Sequence, residues 1–250
     1  LGFNLIETDN LIKYFENSKK LNLKGILTHL SCGEDADQYD GKSFEQLRLF
    51  TKIQKLFASF SPITHSLNSA GMLNFSKHFL SKLPHEISNR QGVRPGLALY
   101  GLSPIKGFAQ FKPVMSLRSH IVHYHHLAAG QSVSYGATWT ASRKSVVAIV
   151  PIGYADGYHR SLSNKSEVLL FGKRVPQIGN VCMDYITIDV TDVLVDKRPE
   201  QLHEAEITLF GNDSNGNILS AEELAKKSNT ISWEILTSIG ERVPRIYEGN

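Results

Sequence analysis

The chain has 250 residues, 41% hydrophobic and 20% charged, with a net charge of +3; this is an ordinary globular composition with material for one large domain or two smaller ones. Lys and Arg are scattered without long runs, so the basic footprint of a nucleic-acid binder is missing. No apolar run reaches the roughly 18 residues of a membrane span, and the two cysteines, Cys32 and Cys182, have neither CxxC nor zinc spacing, which fits a reducing, cytoplasmic setting.

The chain begins at Leu1 with neither an initiator Met nor a signal-peptide pattern, so its start reads as cut. "ETDNLIKYFENSKK" predicts a helix capped by Thr8 or Asp9, with Leu11, Ile12 and Phe15 at helical spacing. Gly25 to Leu30 predicts a short buried strand. A second helix follows in "DGKSFEQLRLFTKIQKLFASF", with Phe44, Leu47, Phe50, Ile53, Leu56 and Phe57 along one side. "SPITHSLNSAGMLNF" reads as a strand running into a helix, and "HEISNRQGVRPGLALYGLSP" as a third strand-and-turn unit. This alternation predicts parallel βα units.

After about Pro113 the helical periods give way to short strands and turns. "PVMSLRSHIVHYHHL", "SVVAIVPIGYADG", "SEVLLFGKRVPQIGN", "VCMDYITIDVTD" and "EAEITLFGN" predict a mostly antiparallel sheet. "GQSVSYGATWTAS" reads as a β-segment, with Ser134, Tyr135 and Gly136 where packing residues are expected. "LSAEELAKK" carries a capping-box pattern, Ser220 with Glu223. "NTISWEILTSIG" predicts a helix stopped near Gly240, and "RVPRIY" a closing strand. The expected organisation is an α/β part over residues 1–113 and a β domain over 114–250. About three βα units are visible before residue 113, whereas a closed parallel barrel needs eight strands. The first part is therefore an open sheet or lacks upstream strands, and the abrupt start favours missing strands.

Several residues sit where chemistry is built. Ser69, Ala70 and Gly71, at a strand-to-helix junction, can offer N–H groups and a hydroxyl to an anion; the alternative is that Asn68 or Ser69 only caps the helix. Arg94, between Gly92-Val93 and Pro95-Gly96, would stand at the C-terminal mouth of a strand, or else be a surface arginine beside a turn. His29 ends the first strand as a structural hydrogen-bonder or a site residue. His120, His123, His125 and His126 fall on both faces of a strand and read as a solvated segment. Tyr154, Asp156, Met183 and Asp184 are candidates for a pocket rim; otherwise "ADG" is turn chemistry and Met183 is core.

Together, "THL", "HSLNSAG", "VRPGLALYG", "VSYGATW", "PIGYADG", "CMDYITIDV" and "RVPRIY" resemble the alanine racemases in order and spacing, from His29 to Arg245. Those are pyridoxal-phosphate (PLP) enzymes built from an α/β barrel and a C-terminal β domain. The resemblance implies a partial (β/α)8 barrel followed by a mostly antiparallel β domain. It implies that Tyr135 is one of two acid/base groups and that Arg94 hydrogen-bonds the cofactor's pyridine nitrogen. It makes Ser69, with the backbone of Gly96 and Leu97, the phosphate cradle. His29 and His65 would lie near the cofactor ring, with His29 bonded to Tyr135 or Arg94. Met183 would offer its backbone amide to the substrate carboxylate, and Tyr154 and Asp184 would line the substrate corridor. A homodimer with shared active sites is implied, one subunit's tyrosine serving the other's barrel.

Inverting an α-carbon requires a base on each face, and PLP supplies the electron sink that acidifies the α-proton. A free tyrosine has a pKa of about 10, so a tyrosine base needs cationic or hydrogen-bonding neighbours. An arginine against the pyridine nitrogen holds its own proton, which restrains side reactions such as transamination. The pattern departs from the family twice. The motif carrying the PLP lysine is absent, and "LGF" looks like the continuation of a stretch that normally follows it, so the chain is expected to be inactive alone. Glu241 stands where the family often has a phosphate-bonding tyrosine, and a carboxylate there would repel phosphate. The expected activity of the complete polypeptide is interconversion of L- and D-alanine, supplying D-alanine for peptidoglycan. The alternatives are a broad-specificity amino-acid racemase of the same fold, or a non-catalytic relative that binds PLP or a partner.

Overall fold

A computed structural model describes residues 2–35, 41–80, 91–105, 111–195 and 197–248, with the backbone alone for 76–80. Leu1, Asp40 and residues 85–90 of the expected elements lie outside the described residues. The chain divides into two compact units, Leu1–Lys112 and Pro113–Asn250.

In the first unit, Asn4 accepts from the Ile6 amide while the Glu7 carboxylate accepts from the Asn4 amide at 2.6 Å. This capping box starts a 3-10 turn, Leu5–Glu7, that runs into α1 (Thr8–Asn17). The cap expected at Thr8 or Asp9 therefore lies upstream. The Thr8 hydroxyl instead donates back to the Leu5 carbonyl at 2.7 Å. Next come β1 (Gly25–Leu27), α2 (Lys42–Leu56), β2 (Ile63–Asn68), α3 (Ser69–Leu80) and β3 (Gln91–Arg94). The strands form a parallel sheet in the order β1-β2-β3, with Leu27 opposite His65, His65 opposite Gly92 and Asn68 opposite Arg94.

One face of this sheet is packed. Leu30, Phe44, Leu47, Leu67 and Phe75 form its core, with the Phe44 and Phe75 rings edge-to-face; each such side chain contributes about 1.5–3 kcal/mol on burial. Of the stripe expected on α2, Phe44, Leu47 and Phe50 are buried, as is Phe57 just beyond its end, while Leu56 faces solvent. A polar lock fixes register: Gln54 Nε2 donates to Thr64 Oγ1 and Gln91 Oε1, and Gln91 Nε2 donates to Ser66 Oγ at 2.7 Å. Buried networks of this kind favour one pairing; Gln54 Oε1 itself meets no partner among the described residues. The other face is open. Leu27 is 65% exposed, and Ile63 is also exposed. The strand expected to be buried is thus an edge strand, and Leu30, which is buried, lies beyond its end. Parallel sheets ordinarily cover both faces, so this unit has the architecture of part of a barrel.

The second unit is antiparallel. Its strands are β4 (Leu117–His120), β5 (His123–Leu127), β6 (Ser132–Val133), β7 (Trp139–Thr140), β8 (Ser145–Val150), β9 (Glu167–Leu170), β10 (Lys173–Ile178), β11 (Ile186–Asp189), β12 (Glu206–Asn212) and β13 (Ile218–Leu219). The main sheet runs β13-β12-β9-β10-β11-β8-β5, with β4 also on β12. The histidine-rich β5 lies at the edge of that sheet, with His123 and His126 exposed. β6 and β7 form a separate ribbon across a 3-10 turn, Tyr135–Ala137. "GQSVSYGATWTAS" is therefore a hairpin with Tyr135 at its tip, rather than one strand.

Two short helices follow, α4 (Ala221–Ser228) and α5 (Ser232–Ser238). Ser220 accepts from the Glu223 amide, which is half of the expected box. The Glu223 carboxylate instead binds Arg174 at 2.5 Å and Lys227 at 3.1 Å. "RVPRIY" is not a strand. Arg245 donates to the carbonyls of Ile239, Gly240 and Val243, wrapping the segment around the end of α5. Among the described residues no helix is long and apolar enough to cross a membrane.

The Arg174 hydrogen bonds hold the Glu223 carboxyl down to about 2, against 4.5 when free. A depressed acid stabilises the fold above its unfolded pKa and loses that contribution as pH falls through the folded one. Glu223→Gln is expected to cost about 1 kcal/mol at neutral pH, allowing for solvent screening. In denaturant titrations that difference from wild type should hold above about pH 4.5 and close towards about pH 2.

Candidate active site

The first unit gathers polar groups at the C-terminal ends of its three strands, where parallel α/β sheets bind ligands. Pro95 restricts the residue before it to extended backbone, which keeps Arg94 in β3. From there Arg94 Nη2 donates to the Thr28 carbonyl at 2.7 Å and lies 3.4 Å from His29 Nδ1. A guanidinium cannot accept, so in that contact Nδ1 is the acceptor. Arg94 Nη1 is buried and meets no partner among the described residues. Burial pulls the Arg94 pKa below its usual value.

Asn68 caps α3: its Oδ1 accepts from the Gly71 amide at 2.9 Å, and its Nδ2 donates to the Leu30 carbonyl. The Gly71 amide is thereby taken, and a Cβ on Gly71 would strike Leu30 Cδ1 at 2.7 Å. Gly71 is therefore a packing glycine, not part of an anion cradle. Ser69 is buried and accepts from the Ala98 amide at 3.2 Å, which leaves its own hydroxyl hydrogen to donate. The same contact places Ser69 beside the 3-10 turn Leu97–Tyr100 that Gly96 precedes. Gly96 has φ −83°, open to any residue, and a Cβ there would touch nothing within 4 Å. Neither the backbone nor a neighbour within the chain requires a glycine at this position. His65 lies across from Gly92, where a Cβ would stand 3.3 Å from its ring.

The second unit builds a different surface. The turn before β11 and the loop after β8 are zipped by backbone bonds, Tyr154 N–H to the Cys182 carbonyl and Ala155 N–H to the Met183 carbonyl, both 3.0 Å. Gly153 sits under this zipper, and a Cβ there would lie 2.2 Å from the Met183 carbonyl oxygen. Cys182 N–H donates to the Tyr185 carbonyl at 3.0 Å, whereas among the described residues the Met183 amide donates to nothing. The Met183 side chain is 52% exposed, so it is not core, and Tyr154 is exposed beside it. Asp156 is buried and accepts from the Gly153 amide, as the turn reading of "ADG" has it. Arg242 binds Asp156 at 3.3 Å and Asp184 at 2.8 Å, fastening both loops.

Tyr135 stands 77% exposed at the tip of the β6–β7 hairpin. Ser134 before it has φ 65° and ψ 171°, a region essentially reserved for glycine, where another residue costs about 1–3 kcal/mol. The sequence pointed to none of Thr28, Asn180 and Arg242. Thr28 acts through its backbone carbonyl, Asn180 through its side chain and carbonyl against a distant hairpin, and Arg242 lies far along the chain from its acidic partners. Among the described residues no three His, Cys, Asp or Glu side chains gather closely enough to hold a metal ion.

Comparison with known proteins follows this division. Residues 1–104 match the family model "Alanine racemase, N-terminal domain", and residues 114–247 match "Alanine racemase, C-terminal domain". The chain belongs to the alanine racemase family. It is 41% identical to the alanine racemase of Sorangium cellulosum over 254 residues, which covers 99% of this chain and 62% of that protein. The crystal structure of the Bartonella henselae alanine racemase with covalently bound pyridoxal phosphate is 33% identical, with a TM-score of 0.78 over 99% of this chain and 63% of that one. The Bacillus anthracis alanine racemase with bound L-Ala-P is 32% identical, with a TM-score of 0.82 over 100% of this chain and 62% of that one. The chain thus spans a little under two thirds of the relatives it matches.

Gly96 and Gly153 separate a glycine with open space beside it from a structural one. Gly96→Ala should leave thermal unfolding within about 0.5 kcal/mol of wild type. Gly153→Ala forces a Cβ into a backbone carbonyl and should cost upwards of about 3 kcal/mol, read as a fall in Tm or as insoluble expression.

Proposed function

We propose that the protein is an alanine racemase that uses PLP and two opposed bases, with alanine as substrate and a homodimer as the active form. The observation that carries this is the unpartnered Arg94 Nη1, a buried donor at the mouth of the parallel sheet. An unsatisfied buried donor is costly, and a ring nitrogen with a free lone pair is the acceptor it lacks. The rest of the half-site fits the same group. The Ser69 hydroxyl and the start of the Leu97–Tyr100 turn can donate to a phosphate, and Gly96 leaves its side open to one.

PLP, when bound, supplies the electron sink that makes the α-proton of alanine removable. This chain's residues do the rest. Arg94, anchored by Thr28 and His29, gives a hydrogen bond to the ring nitrogen and keeps its own proton. Ser69, Gly96 and Leu97 fix the phosphate end. The Met183 amide holds the substrate carboxylate, so the α-carbon has one orientation. Tyr135 Oη takes or returns the α-proton on one face, while a second base works on the other. Tyr154 and Asp184 line the approach. The exposure of Tyr135 suits a residue that completes a second subunit's site. In this reading Glu241 plays no part in phosphate binding, and Asp184 is a corridor residue held by Arg242. The product, D-alanine, would feed peptidoglycan synthesis in the cytoplasm.

The test is made on the chain joined to the part of the Sorangium cellulosum relative that it does not cover. With PLP present, conversion of L-alanine should be read by a D-amino-acid oxidase coupled assay. Tyr135→Phe should lower kcat by about 10²–10⁴ and leave PLP uptake unchanged. Activity that is equal on serine, lysine and arginine would replace alanine with a broader substrate class. PLP binding without turnover of any amino acid would overturn the enzymatic reading.

A further inference from the structure

Three features of the Tyr135 turn stand apart from the expected cofactor and substrate contacts. The first is its strain: Ser134, Gly136 and Ala137 all have positive φ, at 65°, 75° and 46°. The second is its lack of self-support. β6 and β7 contribute two residues each, and a two-stranded ribbon that short does not hold its own tip. Val133 and Trp139, the pair that flanks the turn, pack against Leu127, Ala141, Val147 and Ile178, but the Tyr135 ring beyond them is open to solvent. The third is a set of polar contacts from outside the hairpin that reach only its turn.

Those contacts converge from the segment after β10 and from Asn164. Asn180 Nδ2 donates to the Tyr135 carbonyl at 2.7 Å, and Ser134 Oγ donates to the Asn180 carbonyl at 2.8 Å. The two bonds run in opposite directions between the same two segments, so neither can slide without breaking the other. Gly179 allows the approach, since a Cβ there would stand 2.5 Å from Ser134 Cβ. On the far side of the turn Asn164 Nδ2 donates to Thr138 Oγ1 at 3.0 Å, while its Oδ1 accepts from the Gly179 amide at 2.6 Å. Buried Gln177 closes the set, donating to the Gly179 carbonyl and accepting from the Asn164 amide.

We propose that Asn180 and Ser134, braced by Asn164, form a polar clamp that positions Tyr135 for proton transfer by holding its backbone in a conformation the hairpin would otherwise leave. The inference rests on the reading of Tyr135 as a base. Within its own chain the Tyr135 ring is exposed, so the backbone sets where it reaches a partner's site, and misplacement of a reacting group by about 1 Å can cost about 100-fold in rate. Asn180 and Ser134 are thus positioning residues. Ser134 has a double role: its side chain anchors the turn, and its Cβ is the source of the strain.

That double role sets the test. Asn180→Ala should lower kcat about 10- to 100-fold with KM for alanine within about threefold of wild type. Ser134→Ala keeps the strain and loses the anchor; Ser134→Gly loses the anchor but removes the strain. The glycine variant should therefore keep more activity than the alanine variant, the reverse of the usual order for an ordinary turn contact. In the 250-residue chain, Asn180→Ala and Ser134→Ala should speed amide hydrogen exchange at Ala137, whose N–H donates to the Ser134 carbonyl at 3.3 Å, while Tm stays at the wild-type value. Unchanged exchange at Ala137 would overturn the clamp. Faster exchange with unchanged kcat would overturn its positioning role. A wild-type completed protein that turns over no amino acid would overturn the racemase reading, and with it the catalytic half of this inference; the exchange measurement would still decide the clamp.

Discussion

A guanidinium carries its donors in a rigid planar fork, and at Arg94 that fork is only half used. Nη2 is held by the Thr28 carbonyl, and Nη1 is buried with no partner among the described residues. Every other arrangement in the first unit bears on this one. The parallel order β1-β2-β3 brings the end of β1 to the end of β3 across β2. The Gln54–Thr64–Gln91–Ser66 lock sets the register that puts Arg94 opposite Asn68. Asn68 then starts α3 by taking the Gly71 amide, which leaves Ser69 turned towards the Leu97–Tyr100 turn. Shifting the pairing by one residue would reverse which side chains face the helices, and the arginine fork would leave the strand mouth.

The second unit solves a different mechanical problem. Its sheet is a conventional antiparallel core, with Val147, Val168, Leu170, Ile188, Ile207 and Leu209 fully buried, and nothing in that core is chemically active. The candidate residues Tyr135, Tyr154, Met183 and Asp184 lie on turns and loops, and loops move unless tied. The ties are backbone to backbone at Tyr154–Cys182 and Ala155–Met183, ionic at Arg242 with Asp156 and Asp184, and side chain to backbone at Asn180–Tyr135. The zipper consumes the Met183 carbonyl and leaves its amide free.

How much of this is legible in the sequence follows from what each feature depends on. The α2 stripe and the antiparallel strands after Pro113 are properties of local periodicity, and the chain states them directly. The motif residues His29, Ser69, Arg94, Tyr135 and Met183 could be named because each stands in a distinctive short context. Periodicity is blind to which layer covers a face, so β1 read as buried although Leu27 faces solvent. It is also blind to side chains that fold back on their own backbone. "RVPRIY" has strand propensity, but Arg245 takes three nearby carbonyls and the strand does not form. Asn180 escaped notice for a related reason. "GN" after an apolar run signals a turn, and nothing in the sequence reveals that the turn's asparagine reaches a carbonyl on another hairpin.

The two units hold their candidate residues by opposite means. The first unit keeps a donor unsatisfied on rigid regular structure, so its contribution to binding is stored in Arg94. The second ties the turn through Ser134 Oγ, the Tyr135 carbonyl and Thr138 Oγ1 and stores its strain in the backbone at Ser134. The difference follows from what each unit must hold. In the proposed role a cofactor ring is an external acceptor, and the unpaired Arg94 donor is the group that would meet it. In the proposed role Tyr135 starts from a ring that its own chain leaves exposed, and on a four-residue ribbon contacts from outside the hairpin set the backbone beneath it. Serine rather than glycine at position 134 is intelligible on those terms alone: glycine would fit the backbone better, but it has no hydroxyl to give to Asn180.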